Sequence, residues 1–383
     1  MIRRLPGYAF RSSPPLMRAE AWQELLEERV GNVYLGLYEN DQPVACTAYV
    51  PMTQHVRGQI LRMGGVYDVV THPAARRKGY ARCMMNEIFA LMRNDGCPVT
   101  SLYPFRESFY ERLGYVSFLQ PRWAKLKPAN LGGMLKKHLA GQVELCLLSE
   151  CFDRYHKFLK EYQRERHGMG LFLNRPIVPG KRRDFWVAFA VLDGQDKGAM
   201  LYFLKGEREL EFDLRALRFY YLDVRARYLL LDWIARHVDQ ARSAELLIPP
   251  YEKPETWLAD LEITTTSEFF NGSGRVLDIT GMAGNLVGPG SISVRIVDPD
   301  CPWNEGVWRF VGEDGLLQVS WVEGKEDLPS LETLSIQALS ALVYGTHDPL
   351  DFAFRGWGDP SPELVQKMKV MFPPEQPYLH EFF

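Results

Sequence analysis

The spacing of apolar positions changes several times along the chain, and each change marks an element. RAEAWQELLEERV, residues 18–30, carries the pattern of an amphipathic helix. In NVYLGLYE and PVACTAYVPM, β-branched and aromatic residues lie on either side of Asn40-Asp41, which predicts a hairpin. A third strand is expected from Gln59 to Thr71. A helix follows from Gly79 to Arg93, closed by Asn94-Asp95-Gly96 as a stop signal. PVTSLYP reads as a short strand and SFYERLGY as a short helix ending at Gly114. Antiparallel strands mixed with helices in this order predict an α+β domain, a mixed α/β sheet.

A helix over 146–166 opens a second unit. FWVAFAVLD, GAMLYFLKG and RELEFDLRALRFYYLD follow as strands with Gly-containing turns between them. The helix VRARYLLLDWIARHVDQA and the strand SAELLIPP complete the unit. Strand, strand, strand, helix, strand repeats the order of the first unit, which predicts a duplication with little surviving identity. From about 283 the pattern changes again: SISVRIVD, VWRFVGED and GLLQVSWVEG form a strand run, with helices near 335–344 and 361–371. The expected division is 1–125, 126–282 and 283–383.

Composition narrows function by exclusion. Hydrophobic residues make up 46% of the chain and charged residues 24%, ordinary for a globular protein. A formal charge of −3 offers no field for gripping nucleic acid or an anionic membrane. MIRRLPGYAFRSSPP lacks the apolar stretch of a secretory signal, and no apolar run approaches the ~20 residues that span a bilayer. A cytoplasmic protein is expected. The cysteines at 46, 83, 97, 146, 151 and 301 include no C-x-x-C pair, so buried free thiols are expected. Eight scattered histidines without H-x-H or H-E-x-x-H argue against a bound metal.

The segment with chemistry in it is YDVVTHPAARRKGYARCMM, Tyr67 to Met85. A β-rich run ends at Thr71, a Pro-containing turn follows, and Arg76-Arg77-Lys78-Gly79-Tyr80-Ala81 opens a helix. A helix N-terminus presents unpaired N–H groups and the positive end of its dipole, which suits a phosphate. Gly79 lets the backbone come close, Ala81 keeps the approach clear, and Arg76, Arg77 and Lys78 add positive charge. Three basic residues before a helix are by themselves commonly a solvated turn. The spacing sets this turn apart.

R-x-x-G-x-A directly after a strand and opening a helix resembles the acetyl-CoA motif of the GNAT acetyltransferases. The resemblance implies a mixed sheet with the cofactor in a V where two strands part. By position it implies that the backbone of Val69, Val70 and Thr71 pairs with the pantetheine arm. The amides of Arg77, Lys78, Gly79, Tyr80, Ala81 and Arg82 would hold the pyrophosphate. PFRESFYERLGY resembles the family's FY-x-x-x-GY element beside the thioester, which adds the backbone of Phe105 and Arg106 to the cofactor contacts. At the matching place the second unit reads FYYLDVRARYLLLDWI, with no Gly, so one cofactor site per chain is expected.

VRIVDPDCPWNEGVWRF contains the turn Cys301-Pro302-Trp303-Asn304, read as a turn around a buried Trp. It resembles the sterol-carrier-like C-terminal domain of Eis-type acetyltransferases. Those proteins carry two GNAT units before this domain and end on an aromatic residue; this sequence ends YLHEFF. The region before the first hairpin is short for that family, which shortens one wall of the amine pocket. The implied architecture is tandem GNAT folds with a sterol-carrier-protein-like C-terminal domain.

In Eis-type enzymes the last residue's α-carboxylate serves as general base, and a Tyr of the FY-x-x-x-GY helix as general acid. The resemblance implies Phe383 and Tyr110 for these roles. Acetyl transfer requires a neutral amine and a donor for the departing thiolate. A Tyr hydroxyl near pKa ~10 stands not far above a thiol near ~8.5, and a terminal carboxylate near ~3.5 rises on burial. The same resemblance implies direct transfer to an amine-bearing acceptor (aminoglycoside, polyamine or lysine) and a homo-oligomer, a hexamer built from trimers. Two other readings stay open: another tandem-GNAT acyl-CoA acyltransferase, and a carrier of an apolar ligand with inert GNAT units.

Overall fold

The computed structural model describes residues 4–11, 31–173, 185–208, 211–267, 271–322 and 331–383. The helix expected over 18–30 lies outside them. The chain divides into two units. One comprises Met1–Leu119, Arg166–Pro176 and Asn271–Phe383, the other Gln120–Glu165 and Ile177–Phe270.

In the first unit, α1 (Arg4–Arg11) is followed by β1 (Val33–Glu39), β2 (Gln42–Val56) and β3 (Gln59–Thr71). Then come α2 (Tyr80–Asn94), β4 (Val99–Leu102), α3 (Glu107–Glu111) and β5 (Val116–Ser117). Asn40 and Asp41 take φ of 49° and 60°, the left-handed pair that a two-residue hairpin turn requires. β3 and β4 run parallel, from Met63 opposite Val99 to Val66 opposite Leu102. α2 is the crossover between them. It buries Met85, Ile88, Phe89 and Met92 in one cluster with Tyr49, Val66 and Leu102 of the sheet. Each such side chain taken from water contributes about 1.5–3 kcal/mol.

Ser273–Val276, which the sequence division places before the third segment, fills the gap between β4 and β5 in this sheet. Beyond it, Gly290–Val297, Gly306–Glu313, Leu316–Trp321 and Thr333–Ser335 make a four-stranded sheet. Helices Ile336–Tyr344 and Pro362–Met371 share one core with this sheet and with β2 and β3.

A buried knot ties that core to the β2–β3 turn. The Arg57 guanidinium donates to the carbonyls of Val343, Leu342 and Pro373 at 2.7, 2.8 and 2.8 Å. It thereby satisfies the last carbonyls of helix Ile336–Tyr344, where a cation also meets the negative end of the dipole. The Arg57 N–H donates to His167 Nδ1 at 3.1 Å, and His167 Nε2 lies 3.1 Å from the Tyr344 carbonyl. With Nδ1 accepting, Nε2 carries the proton and the ring is neutral.

The second unit repeats the plan. Its seven-stranded sheet contains Trp186–Leu192, Gln195–Arg208, Glu211–Tyr221 and Ala241–Ile248 as successive neighbours. The last two run parallel across the helix Val224–Ala235, so the expected order of elements is present twice. The expectation for the cysteines needs correction. Cys46, Cys97 and Cys301 are free and buried, but Cys83 is exposed and Cys146 is joined to Cys151. The corner between strand Gln142–Leu147 and helix Leu148–Gln163 brings their Cα atoms to 6.4 Å, which spacing alone does not reveal. Among the described residues no helix is long and apolar enough to cross a membrane.

Burial, with Arg57 and His55 close by, pushes His167 down to about 3. Protonation would turn its Nδ1 from acceptor into donor against the Arg57 N–H. The unfolded chain binds this proton near pH ~6.5 and the native state does not, so stability is intact above that value and lost as pH falls. Roughly 2–3 kcal/mol should go between pH ~6.5 and ~4.5. Thermal unfolding followed by circular dichroism should show Tm falling over this range, with a flatter slope for His167→Gln.

Candidate functional site

β3 outruns β4. Their pairing ends at Val66 and Leu102, after which Tyr103 and Pro104 leave the sheet, and Pro104 has no N–H for a ladder. β3 continues to Thr71, still bonded to β2 along its other edge. The register with β2 slips there and Asp68 takes φ of 53°, a bulge that bends the strand away.

Where the strands part, a cavity of about 670 Å³ opens. Val69, Val70 and Thr71 line one side. Arg76, Arg77, Gly79, Tyr80, Ala81 and Arg82 line the loop and helix start. Phe105 and Phe109 also border it. Ten of the residues expected to contact a cofactor thus share one space. Lys78 and Arg106 are not in its lining. Ala9 and Phe10 of α1, Ala75 and Phe109 are, and sequence reasoning missed them. Phe109 stands four residues after Phe105, their rings 5.8 Å apart, a spacing that could have revealed it. Nothing in the local sequence points from α1 to this cavity.

The loop backbone is shaped for an anion. Arg77 and Gly79 have φ of 63° and 82°. The first bond into α2 runs from the Cys83 N–H to the Gly79 carbonyl at 3.1 Å, so the amides of Tyr80, Ala81 and Arg82 precede it. Gly79 has no side chain to cap them, and the first turn holds no acidic residue. A Cβ at Gly79 would meet nothing within 4 Å, so the left-handed backbone, not crowding, calls for glycine. These features fit a pyrophosphate.

The basic side chains divide. Lys78 pairs with Glu39 at 3.2 Å, exposed on both sides and worth little. The Arg82 guanidinium is turned to Asp300 at 2.7 Å. Among the described residues Arg76 and Arg77 have no ion pair, which leaves their charge available to the cavity. In the second unit the matching helix start is closed: the Asp223 carboxylate accepts from the Arg225 N–H at 2.8 Å. A carboxylate already occupies the place an anion would take.

Tyr110 lies 4% exposed behind the cavity wall, its ring 5.6 Å from Phe105, 5.0 Å from Phe109 and 6.0 Å from Tyr115. Burial pushes its phenol above the ordinary value. Phe383 packs against Tyr103 and Phe172, with ring centroids 5.7 and 6.4 Å away. It also covers Gly65, where a Cβ would come within 2.9 Å of its ring. The Tyr103 hydroxyl donates to the carbonyls of Leu379 and Glu381 at 3.1 and 2.9 Å, holding this segment down. Phe383 is not in the cavity lining. In the 301–304 turn Cys301 and Asn304 are buried and Trp303 is not; the indole lies half-buried and donates to the Leu277 carbonyl at 2.8 Å.

Comparison with known proteins matches residues 2–117 to the family described by the words acetyltransferase (GNAT) domain, and residues 283–380 to the sterol carrier protein domain. No curated protein matches the chain. A GCN5-related N-acetyltransferase from Anabaena variabilis superposes with a TM-score of 0.82 at 16% identity, covering 100% of this chain and 96% of that one. A GCN5-related N-acetyltransferase from Kribbella flavida gives 0.79 at 19% identity, covering 100% and 95%. Eis1 from Mycobacterium abscessus gives 0.72 at 14% identity, covering 96% and 98%. At these identities the likeness is one of fold. The chain carries a GNAT acetyltransferase domain and a sterol-carrier-like domain, and is an enzyme of the acetyltransferase type.

Gly79→Ala forces a side chain into the left-handed region at about 1–2 kcal/mol. Calorimetric titration with CoA should show its Kd rising about tenfold.

Proposed function

We propose that this protein is an Eis-type N-acetyltransferase that moves an acetyl group from acetyl-CoA to a primary amine in a ternary complex. The observation that carries this reading is the loop with left-handed Arg77 and Gly79, which sets three helix-start amides at one side of a cavity whose other side is Val69–Thr71. When bound, acetyl-CoA supplies an activated thioester. Val69 to Thr71 align its pantetheine arm like an added strand, and an N–H of that stretch steadies the oxyanion.

Tyr110, behind the wall that Phe105 and Phe109 form, is the donor assigned to the departing sulfur. Burial keeps its phenol protonated at working pH and sets it further above a thiol, so it stabilises the sulfur by hydrogen bonding more than by complete proton transfer. The Phe383 α-carboxylate attracts the ammonium and accepts its proton, directly or through water. The acceptor is an aminoglycoside, a polyamine or a lysine. A cytoplasmic hexamer built from trimers and the division 1–125, 126–282 and 283–383 complete the proposal.

A panel of amines assayed by CoA thiol release tests the activity; a carrier of apolar ligands would release none. Tyr110→Phe should lower kcat about 10–100-fold while KM for acetyl-CoA stays nearly constant. Because the reactive form is protonated and its pKa is raised, the alkaline fall in kcat from Tyr110 should lie above pH ~10, not between ~7 and ~9. A few residues added after Phe383 should cut kcat and spare CoA affinity. An unaltered kcat would remove the carboxylate from the scheme.

A further inference from the structure

α3 has 5 residues, too few for a helix to persist on its own. Side chains from later in the chain hold it. Asn271 donates to the Glu107 carboxylate at 2.9 Å, Gln337 to the Glu111 carbonyl at 2.8 Å, and Arg355 to the Glu111 carboxylate at 2.9 Å. The fourth tether differs. Arg275 has 0% exposure, and its Nη1 donates to the carbonyl of Leu113, just past the end of α3. The Leu113 N–H in turn donates to the Tyr110 carbonyl at 2.9 Å.

The guanidinium is oriented for this contact. An arginine serving only its carboxylate presents two nitrogens, fork to fork. Here Nη2 alone takes both Asp298 oxygens, at 2.7 and 2.6 Å, and Nε has no acceptor among the described residues. Asn304 holds the carboxylate from the other side, 2.9 Å from Oδ2. The face of the guanidinium lies 4.4 Å from the Phe89 ring of α2. Gly114, at φ of 90°, leaves the room; a Cβ there would come within 2.8 Å of Nη1.

We infer that Arg275 is a positioning residue for Tyr110: anchored by Asp298 and Asn304, it fixes the end of α3 against α2 and so sets the phenol beside the donor cavity. This rests on the role proposed above for Tyr110. A buried ion pair that only stabilises the fold predicts a different outcome, because its loss would not depend on which residue stands at 110.

The test is a double-mutant cycle on the full chain, with kcat from thiol release and CoA affinity from calorimetry. Arg275→Lys keeps the charge but cannot span Asp298 and Leu113 together. It should lower kcat about tenfold at unchanged CoA Kd, and less than twofold in the Tyr110→Phe background. Equal losses in both backgrounds, or no loss in the first, overturn the inference. If Arg275→Lys loses its near-ultraviolet circular dichroism, Asn304→Ser goes through the same cycle with the same expectations. A Tyr110→Phe enzyme of normal speed sinks the underlying reading and this inference with it. A slow Tyr110→Phe beside a fast Arg275→Lys sinks this inference alone.

Discussion

The ion pair between Arg275 and Asp298 joins the inserted strand Ser273–Val276 to the chain just after strand Gly290–Val297, and neither partner meets water. Taking both charges out of solvent costs several kcal/mol each, and their mutual attraction offsets that only when the remaining donors and acceptors are also engaged. Asn304 engages the carboxylate, and Leu113 engages the guanidinium. Asn304 also accepts from the Ile279 N–H and donates to the Leu277 carbonyl, so the turn after Asp298 is stitched to the chain just past the inserted strand Ser273–Val276. The sheet, the helix carrying Tyr110 and the sterol-carrier-like segment therefore form a single polar junction. Removing one partner would strand a buried charge.

The two GNAT-type sheets share an order of elements but differ where the crossover helix begins. In the first, Gly79 takes a left-handed conformation and brings no side chain, so the positive end of the helix dipole faces open space. In the second, the Asp223 carboxylate accepts from the Arg225 N–H and offsets the dipole from within. A cap of this kind stabilises the helix by ~1 kcal/mol and excludes an external anion. One side chain thus separates an open helix start from one closed by its own carboxylate.

The splay of β3 from β4 has local causes, Pro104 on one strand and the bulge at Asp68 on the other. Both ends of the described chain act on the unit that contains it. α1 contributes Phe10 to the cavity wall. At the other end Tyr103, which follows β4, holds the carbonyls of Leu379 and Glu381 and packs its ring at an angle against Phe382 and Phe383. Arg57 and His167 secure the helix Ile336–Tyr344 on the far side of the same core.

The hairpin at Asn40-Asp41, the strand Gln59–Thr71 and the helix after Gly79 were legible in the sequence because each obeys rules that act over a few residues: left-handed tolerance in turns, period two in strands, capping at helix starts. The shape of the loop before α2 was legible for the same reason, since its amides and its Gly lie within one turn of helix. The wall formed by Phe10, the pairing of Cys146 with Cys151 and the turning of Arg82 to Asp300 were not. Nor was the insertion of Ser273–Val276 between β4 and β5. Arg275 and Leu113 are 162 positions apart, and no periodicity over a few residues carries information about which carbonyl a distant guanidinium will reach. The sequence by itself determined the elements and the left-handed loop at Gly79, because backbone preference and capping are local energies. The tertiary structure alone decided which side chains close the cavity and hold Tyr110, because buried charges select their partners only when the whole core assembles.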